Sequence, residues 1–255
     1  MEKLIVPGRK IFAIGIAGLG ILCILLKNFI VGRPPAWPPT LPVNPILAYI
    51  AGTLLIGFAL AVLLKKRARE SVFFIAGLIL ALSVIRHLPR FTNDWLNAFK
   101  AMALYGGALI VAVSWQKEIG SGPYESRKNE RYDNRLFHLG LVLMAIFFIV
   151  SGFAHFKFAD FVVDFIPAYI PFRTFWTYFC GISLVSGGLG LLLPQTRTRA
   201  AFLLGLMILI WFLFLHIPRF LSNPNDASDQ MGLCESFTFV GMLWVLAGDN
   251  SKRTT

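Results

Sequence analysis

Apolar runs of roughly twenty residues alternate with short polar stretches along the whole chain. About 20 residues at roughly 1.5 Å rise cross a hydrocarbon layer about 30 Å thick, so runs of this length predict transmembrane helices. The pattern places spans at about 11–31, 45–64, 70–87, 97–115, 135–155, 174–193, 199–217 and 230–248. The predicted fold is therefore all-α, a polytopic integral membrane bundle of eight helices. The opening MEKLIVPGRK and its apolar run mimic a signal peptide. The run exceeds a typical signal core and lacks a small-residue cleavage site, so it is expected to remain as the first span.

The pattern also repeats. HLPRF at 87–91 and HIPRF at 216–220 lie 129 positions apart, each closing an apolar run. At the same shift Phe29 meets Phe158, Pro38 meets Pro167, Pro42 meets Pro171, Tyr49 meets Tyr178 and Gly52 meets Gly181, without a gap from 27 to 91. Six extra residues in SNPNDASDQ then move the shift to 135, pairing Lys100 with Glu235 and Gly106 with Gly241. The chain reads as two four-helix repeats, 1–115 and 135–255, joined by a polar linker at 116–134 in which Gly120, Gly122 and Pro123 disfavour helix. Four spans is an even number, so the repeats should be parallel, related by an axis along the membrane normal.

Each half has an elaborate segment after its first span. RPPAWPPTLPVNP carries six prolines and must be extended, with Trp37 at headgroup level. In the second half, Phe158, Phe161, Val162 and Phe165 recur at helical spacing, with Lys157, Asp160 and Asp164 opposite. That segment is expected to be a short helix ended by Pro167, lying in the membrane surface or packing over the bundle as a lid.

Composition agrees: 56% of residues are hydrophobic, 15% are charged and the mean hydropathy is +0.69. A net charge of +11 would point to nucleic acid in a soluble chain, but its distribution assigns it to topology. With the N-terminus inside, 16 of the 24 Lys and Arg fall on the cytoplasmic side, whereas the acids divide 7 to 6. Both termini are expected in the cytoplasm of a bacterial inner-membrane protein, with the lipid bilayer rather than nucleic acid as partner. Cys23, Cys180 and Cys234 are scattered without CxxC or metal spacing and read as small buried hydrophobes. Paired carboxylates, a nucleophile elbow and a metal cluster are all absent, so no metal and no catalytic residue is assigned.

The recurring His-x-Pro-Arg has two readings. Structurally, His87 and His216 sit in a last helical turn whose carbonyls welcome donors, Pro89 and Pro218 stop the helix, and Arg90 and Arg219 reach lipid phosphates or the helix end. Functionally, two equivalent helix ends bring His87, Arg90, His216 and Arg219 to one cavity near the outer leaflet, with His155 on the same face. Histidine exchanges protons near neutral pH and arginine holds an anionic or quinoid oxygen, so a quinone is a candidate ligand. A haem between His87 and His216 is disfavoured, since no attachment motif is present. Lys100 and Glu235, at equivalent outer positions with opposite charge, are expected to pair between the halves or to line the same cavity; otherwise they reach the headgroups. His138 beside Arg135 reads as interfacial.

The string SGFAHFKFADFVVDFIPAYIPFRTFWTYFCGISLVSGGLGLLL, followed by a span ending HIPRF, resembles the DoxX-like family of four-helix membrane proteins. The matching features are Ser151, Gly152, His155, Phe156, Pro167, Pro171, Trp176, Tyr178, Gly181, Gly187, Gly188, His216, Pro218 and Arg219. The first half matches more loosely, having Leu26 where His155 stands. The resemblance implies a tandem fusion of two such units. It also implies a redox-associated membrane subunit, because the family includes a subunit of a thiosulfate:quinone oxidoreductase and partners of thiol-redox systems. The chain has no recognisable redox centre, so catalysis would require a bound cofactor or an oxidoreductase partner. The alternative class is a non-enzymatic carrier or scaffold holding a lipid or small lipophile between the repeats. Oligomeric state is set by none of these features.

Overall fold

The computed structural model describes residues 1–28, 45–88, 91–92, 94–115 and 123–250, with backbone alone for 123–129 and 250. The proline-rich segment with Trp37, and Pro89 and Arg90, lie outside the described residues.

Ten α-helices follow one another among the described residues, with no strand: α1 (Ile5–Leu25), α2 (Pro45–Leu63), α3 (Ala68–His87), α4 (Trp95–Val113), α5 (Pro123–Lys157), α6 (Ala159–Phe165), α7 (Arg173–Leu192), α8 (Pro194–Trp211), α9 (Ile217–Ser222) and α10 (Ala227–Asn250). Eight of these segments are long and apolar enough to cross a membrane. Helices satisfy their backbone groups internally, which is what a hydrocarbon layer demands. Large apolar side chains such as Leu60, Phe74, Ile182 and Leu203 face outward. In water they would form an aggregating surface; beside acyl chains they match the solvent.

The packing obeys the repeat. α1 lies on α2 as α5 lies on α7; α3 lies on α4 as α8 lies on α10; α1 meets α10 as α5 meets α4. Glycines allow the last two crossings. A Cβ on Gly106 would stand 2.8 Å from the Gly140 carbonyl oxygen, and one on its counterpart Gly241 would stand 2.7 Å from the Gly8 oxygen. Any larger residue would push the helices apart. At the centre α4 meets α10, and repeat-equivalent residues touch one another: Lys100 meets Glu235, and the space at Gly107 is filled by Met242. Residues 135 apart face their own counterparts at a two-fold axis, and since the contacts advance by seven residues on both helices, from Lys100–Glu235 to Gly107–Met242, α4 and α10 run the same way along it. The bundle is two parallel four-helix repeats.

Two expectations are corrected. The first span begins near the N-terminus, at Glu2 rather than residue 11, and carries Arg9 into the bundle. Its charge is accommodated there: Nε donates to Ser114 Oγ at 3.0 Å, and the guanidinium lies 3.7 Å from the Trp115 ring centroid. The linker is also shorter than 116–134, because α5 starts at Pro123, where proline's missing N–H costs nothing. Its Asp133 is not solvated. It is fully buried and accepts a hydrogen bond from Arg69 Nη2 at 2.6 Å.

Candidate functional site: a charged cluster at one end of the bundle

HIPRF does not end its helix, which corrects the reading of Pro218 as a stop. α8 passes into a π-helical turn, Phe212–His216, and then into α9, so the seventh span runs Pro194–Ser222. Pro218 has no N–H for the Phe214 carbonyl four residues earlier, and its ring crowds that carbonyl. A wider turn relieves the clash without abandoning the helix. The Phe214 carbonyl accepts a hydrogen bond from Tyr169 Oη instead.

The detour carries Arg219 across to α10. Its Nε donates to Asp229 Oδ1 at 2.7 Å and its Nη1 to the Phe165 carbonyl at 3.1 Å, while the guanidinium stands 3.8 Å from the Phe165 ring centroid. The helix at 159–165, expected from its periodicity, is therefore held against the bundle at its last residue. Phe165 also meets the His216 imidazole edge-on, with ring centroids 6.5 Å apart. His216 is half-buried and lies against Gly232, where a Cβ would stand 2.9 Å from Nδ1. Lys100 and Arg219 both lie within electrostatic reach of that imidazole. Lys100 Nζ itself sits 2.6 Å from Glu235 Oε2, with side-chain exposures of 22% and 6%. Pairing between the halves, one of the sequence expectations, is what the geometry shows.

His87 is buried at the end of α3, with Nδ1 3.5 Å from Asp94 Oδ2. Asp94 and Asp229 are 135 apart, so each half places an acid in the same position, just before α4 and early in α10. The sequence reading missed both, although carrying the shift across SNPNDASDQ pairs them. It also missed Phe165 as a partner of Arg219, and no local pattern marks an aromatic ring 54 residues away. His155 is half-buried, and its Nδ1–H donates to the Ser151 carbonyl at 2.8 Å. It packs on α7, where a Cβ at Gly181 would stand 3.1 Å from its own Cβ, and no described contact joins it to His216 or Lys100. His138 is exposed, with Nδ1 2.6 Å from the Asn134 carbonyl oxygen. Cys23, Cys180 and Cys234 are free thiols, the first two buried.

Residues 144–225 match the family model of a domain of unknown function, DUF8561. The match runs from within α5 to just beyond α9. It takes in His155, Phe165, His216 and Arg219 but neither Asp229 nor Glu235. No curated protein and no solved structure matches the chain.

The cluster thus draws on four places in the chain: α6 supplies Phe165, the π turn and α9 supply His216 and Arg219, α4 supplies Lys100, and α10 supplies Asp229 and Glu235. Two carboxylates, one lysine and one arginine balance formally around an imidazole that donates a hydrogen bond through one ring nitrogen and accepts through the other. Two of Arg219's five donors are committed to protein, which makes it a positioning group for α6 as well as a cation.

Proposed function

We propose that this protein is a redox-associated subunit of a bacterial inner membrane, with both termini inside, that meets a quinone and an oxidoreductase partner at the end of the bundle holding the charged cluster. The observation that carries the reading is the placement of His216. It lies half-buried between an aromatic ring and two cations, with a carboxylate–ammonium pair behind it. The resemblance of the second half to DoxX-like proteins points the same way.

The residues present fit a quinoid head. Phe165 offers an aromatic wall, His216 a hydrogen-bonding imidazole, and Arg219 further N–H groups for an oxygen. A quinone that accepts two electrons takes two protons at its oxygens, the electrons coming here from the partner. His216 would hydrogen-bond one of those oxygens, both protons arriving with the electrons from the partner, and the Lys100–Glu235 pair would stand behind the imidazole.

Titrating the purified full chain with a short-chain ubiquinone analogue, read by quenching of tryptophan fluorescence, tests this. His216→Ala is expected to weaken binding at least tenfold, and His87→Ala/His216→Ala to abolish it. Undiminished quenching in the double variant overturns the proposal. If organic extraction of the native protein then yields phospholipid and no quinone, the carrier or scaffold reading takes its place.

A further inference from the structure

A recess lies on the first repeat, between α2 and α3, and is independent of the charged cluster. It is an open trough with a volume of about 700 Å³. That is within the range of roughly 300–1,000 Å³ usual for small-molecule sites. One wall is apolar and runs along α2 through Leu54, Gly57, Phe58 and Ala61; the mouth carries Lys66 and Arg67. A Cβ placed on Gly57 would meet nothing within 4 Å, so this glycine is not a helix-packing contact but open space. Phe58 stacks on Phe74 of α3 at 5.1 Å, which stiffens the floor.

The mouth is built at a cost. Lys65 and Arg67 have φ of 56° and 45°, the left-handed region that glycine occupies freely. Residues with a Cβ are crowded there by the following carbonyl oxygen. The turn closes α2 through hydrogen bonds from Lys65 N to the Val62 carbonyl and from Lys66 N to the Ala61 carbonyl, an arrangement that usually ends in glycine. Here cations occupy it, and neither Lys66 nor Arg67 forms an ion pair with a described residue.

The second repeat is an internal control. At the shift of 129, Pro194, Gln195 and Thr196 stand where Lys65, Lys66 and Arg67 stand, and Arg197, the next residue, is turned onto the Leu191 carbonyl, to which its Nε donates at 3.0 Å. The space is closed as well: Gly187, equivalent to Phe58, would place a Cβ 2.5 Å from Leu204 Cδ2, and Gly190 would place one 2.9 Å from the Ala200 Cβ. Only one of two otherwise equivalent helix pairs keeps an apolar trough ending in unpaired positive charge.

We infer that the α2–α3 recess is a binding site for one anionic glycerophospholipid. An acyl chain lies in the trough over Gly57, and the phosphate sits at the mouth between Lys66 and Arg67. Basic residues at the end of an apolar groove between membrane helices favour anionic headgroups through charge, and the trough supplies what a free phosphate ion cannot use. Native mass spectrometry of the full chain, exchanged into detergent with phosphatidylglycerol or phosphatidylcholine, tests the site. The protein is expected to retain one phosphatidylglycerol at least tenfold more readily than phosphatidylcholine. Lys66→Gln/Arg67→Gln should remove the preference. Gly57→Leu should remove retention of both lipids while leaving the two cations in place, and Thr196→Gln and Ser186→Leu in the second repeat should do nothing. Equal retention of the two lipids by the wild type, or unaltered retention in Gly57→Leu with an unchanged melting temperature, overturns the site. Inorganic phosphate competing as well as the lipid overturns it too.

Discussion

Asp133 shows what a single buried charge demands. It lies in a stretch so polar, QKEIGSGPYESRKNERYDN, that the sequence reads as a solvated connector. The acid is nevertheless fully buried, because Arg69, 64 residues earlier, reaches it at 2.6 Å. Nothing local in the sequence could announce that partner. Lys100 and Glu235 were legible for the opposite reason: opposite charges at equivalent repeat positions inside apolar spans advertise one another. Removing Arg69 alone takes the cation from a fully buried carboxylate, and breaking a buried pair from one side costs about 3–5 kcal/mol. Arg69→Met should fall at the low end of that range, since the Arg69 side chain keeps 18% of its exposure. Arg69→Met/Asp133→Leu should recover most of the loss, because an apolar pair needs no desolvation. Denaturant unfolding in detergent measures both, and a double variant no more stable than the single one would refute the account.

At the scale of elements, proline was the least reliable guide. Its missing N–H and ring clash predict a stop, and Pro218 does disturb its helix, but the bundle around it keeps the axis going. The disturbance is absorbed as a π turn, and the orphaned Phe214 carbonyl is satisfied by Tyr169 from the segment after α6. The helix at 159–165 was legible from its apolar spacing; its latch, Arg219 on Phe165, was not, because periodicity describes a face and not what lies upon it. A double-mutant cycle follows. Tyr169→Phe in the native background should cost about 0.5–1.5 kcal/mol, the net worth of one hydrogen bond. In a Pro218→Ala background residue 218 has an N–H to offer the Phe214 carbonyl, so the same change should cost close to nothing. Equal costs in both backgrounds would show that Tyr169 does not compensate for proline.

For the whole molecule, the parallel repeat was readable from the shift of 129 and the even number of spans, whereas the identity of the helices on the axis was not. Sequence alignment says which residues correspond; only packing says which of them meet. The two-fold axis passes between α4 and α10, where Lys100 faces its counterpart Glu235 and Gly107 faces its counterpart Met242. Two identical units meeting on that axis would bring like residues together, lysine on lysine or glutamate on glutamate, each pair repelling in a low dielectric. A fused pair escapes the constraint, since each half can hold the charge the other needs. The fusion is thus what permits a salt bridge at the centre of the assembly, and the bridge in turn favours the joined halves over like-with-like pairing. If so, the order of charges should be immaterial and their opposition should matter. In a full chain carrying a protease site in 116–122 and cut after folding, the halves should co-purify. Lys100→Glu should separate them or lower the melting temperature sharply, and Lys100→Glu/Glu235→Lys should restore their association. A cut Lys100→Glu protein as stable as the uncharged Lys100→Gln variant would remove the axis pair from any part in holding the repeats together.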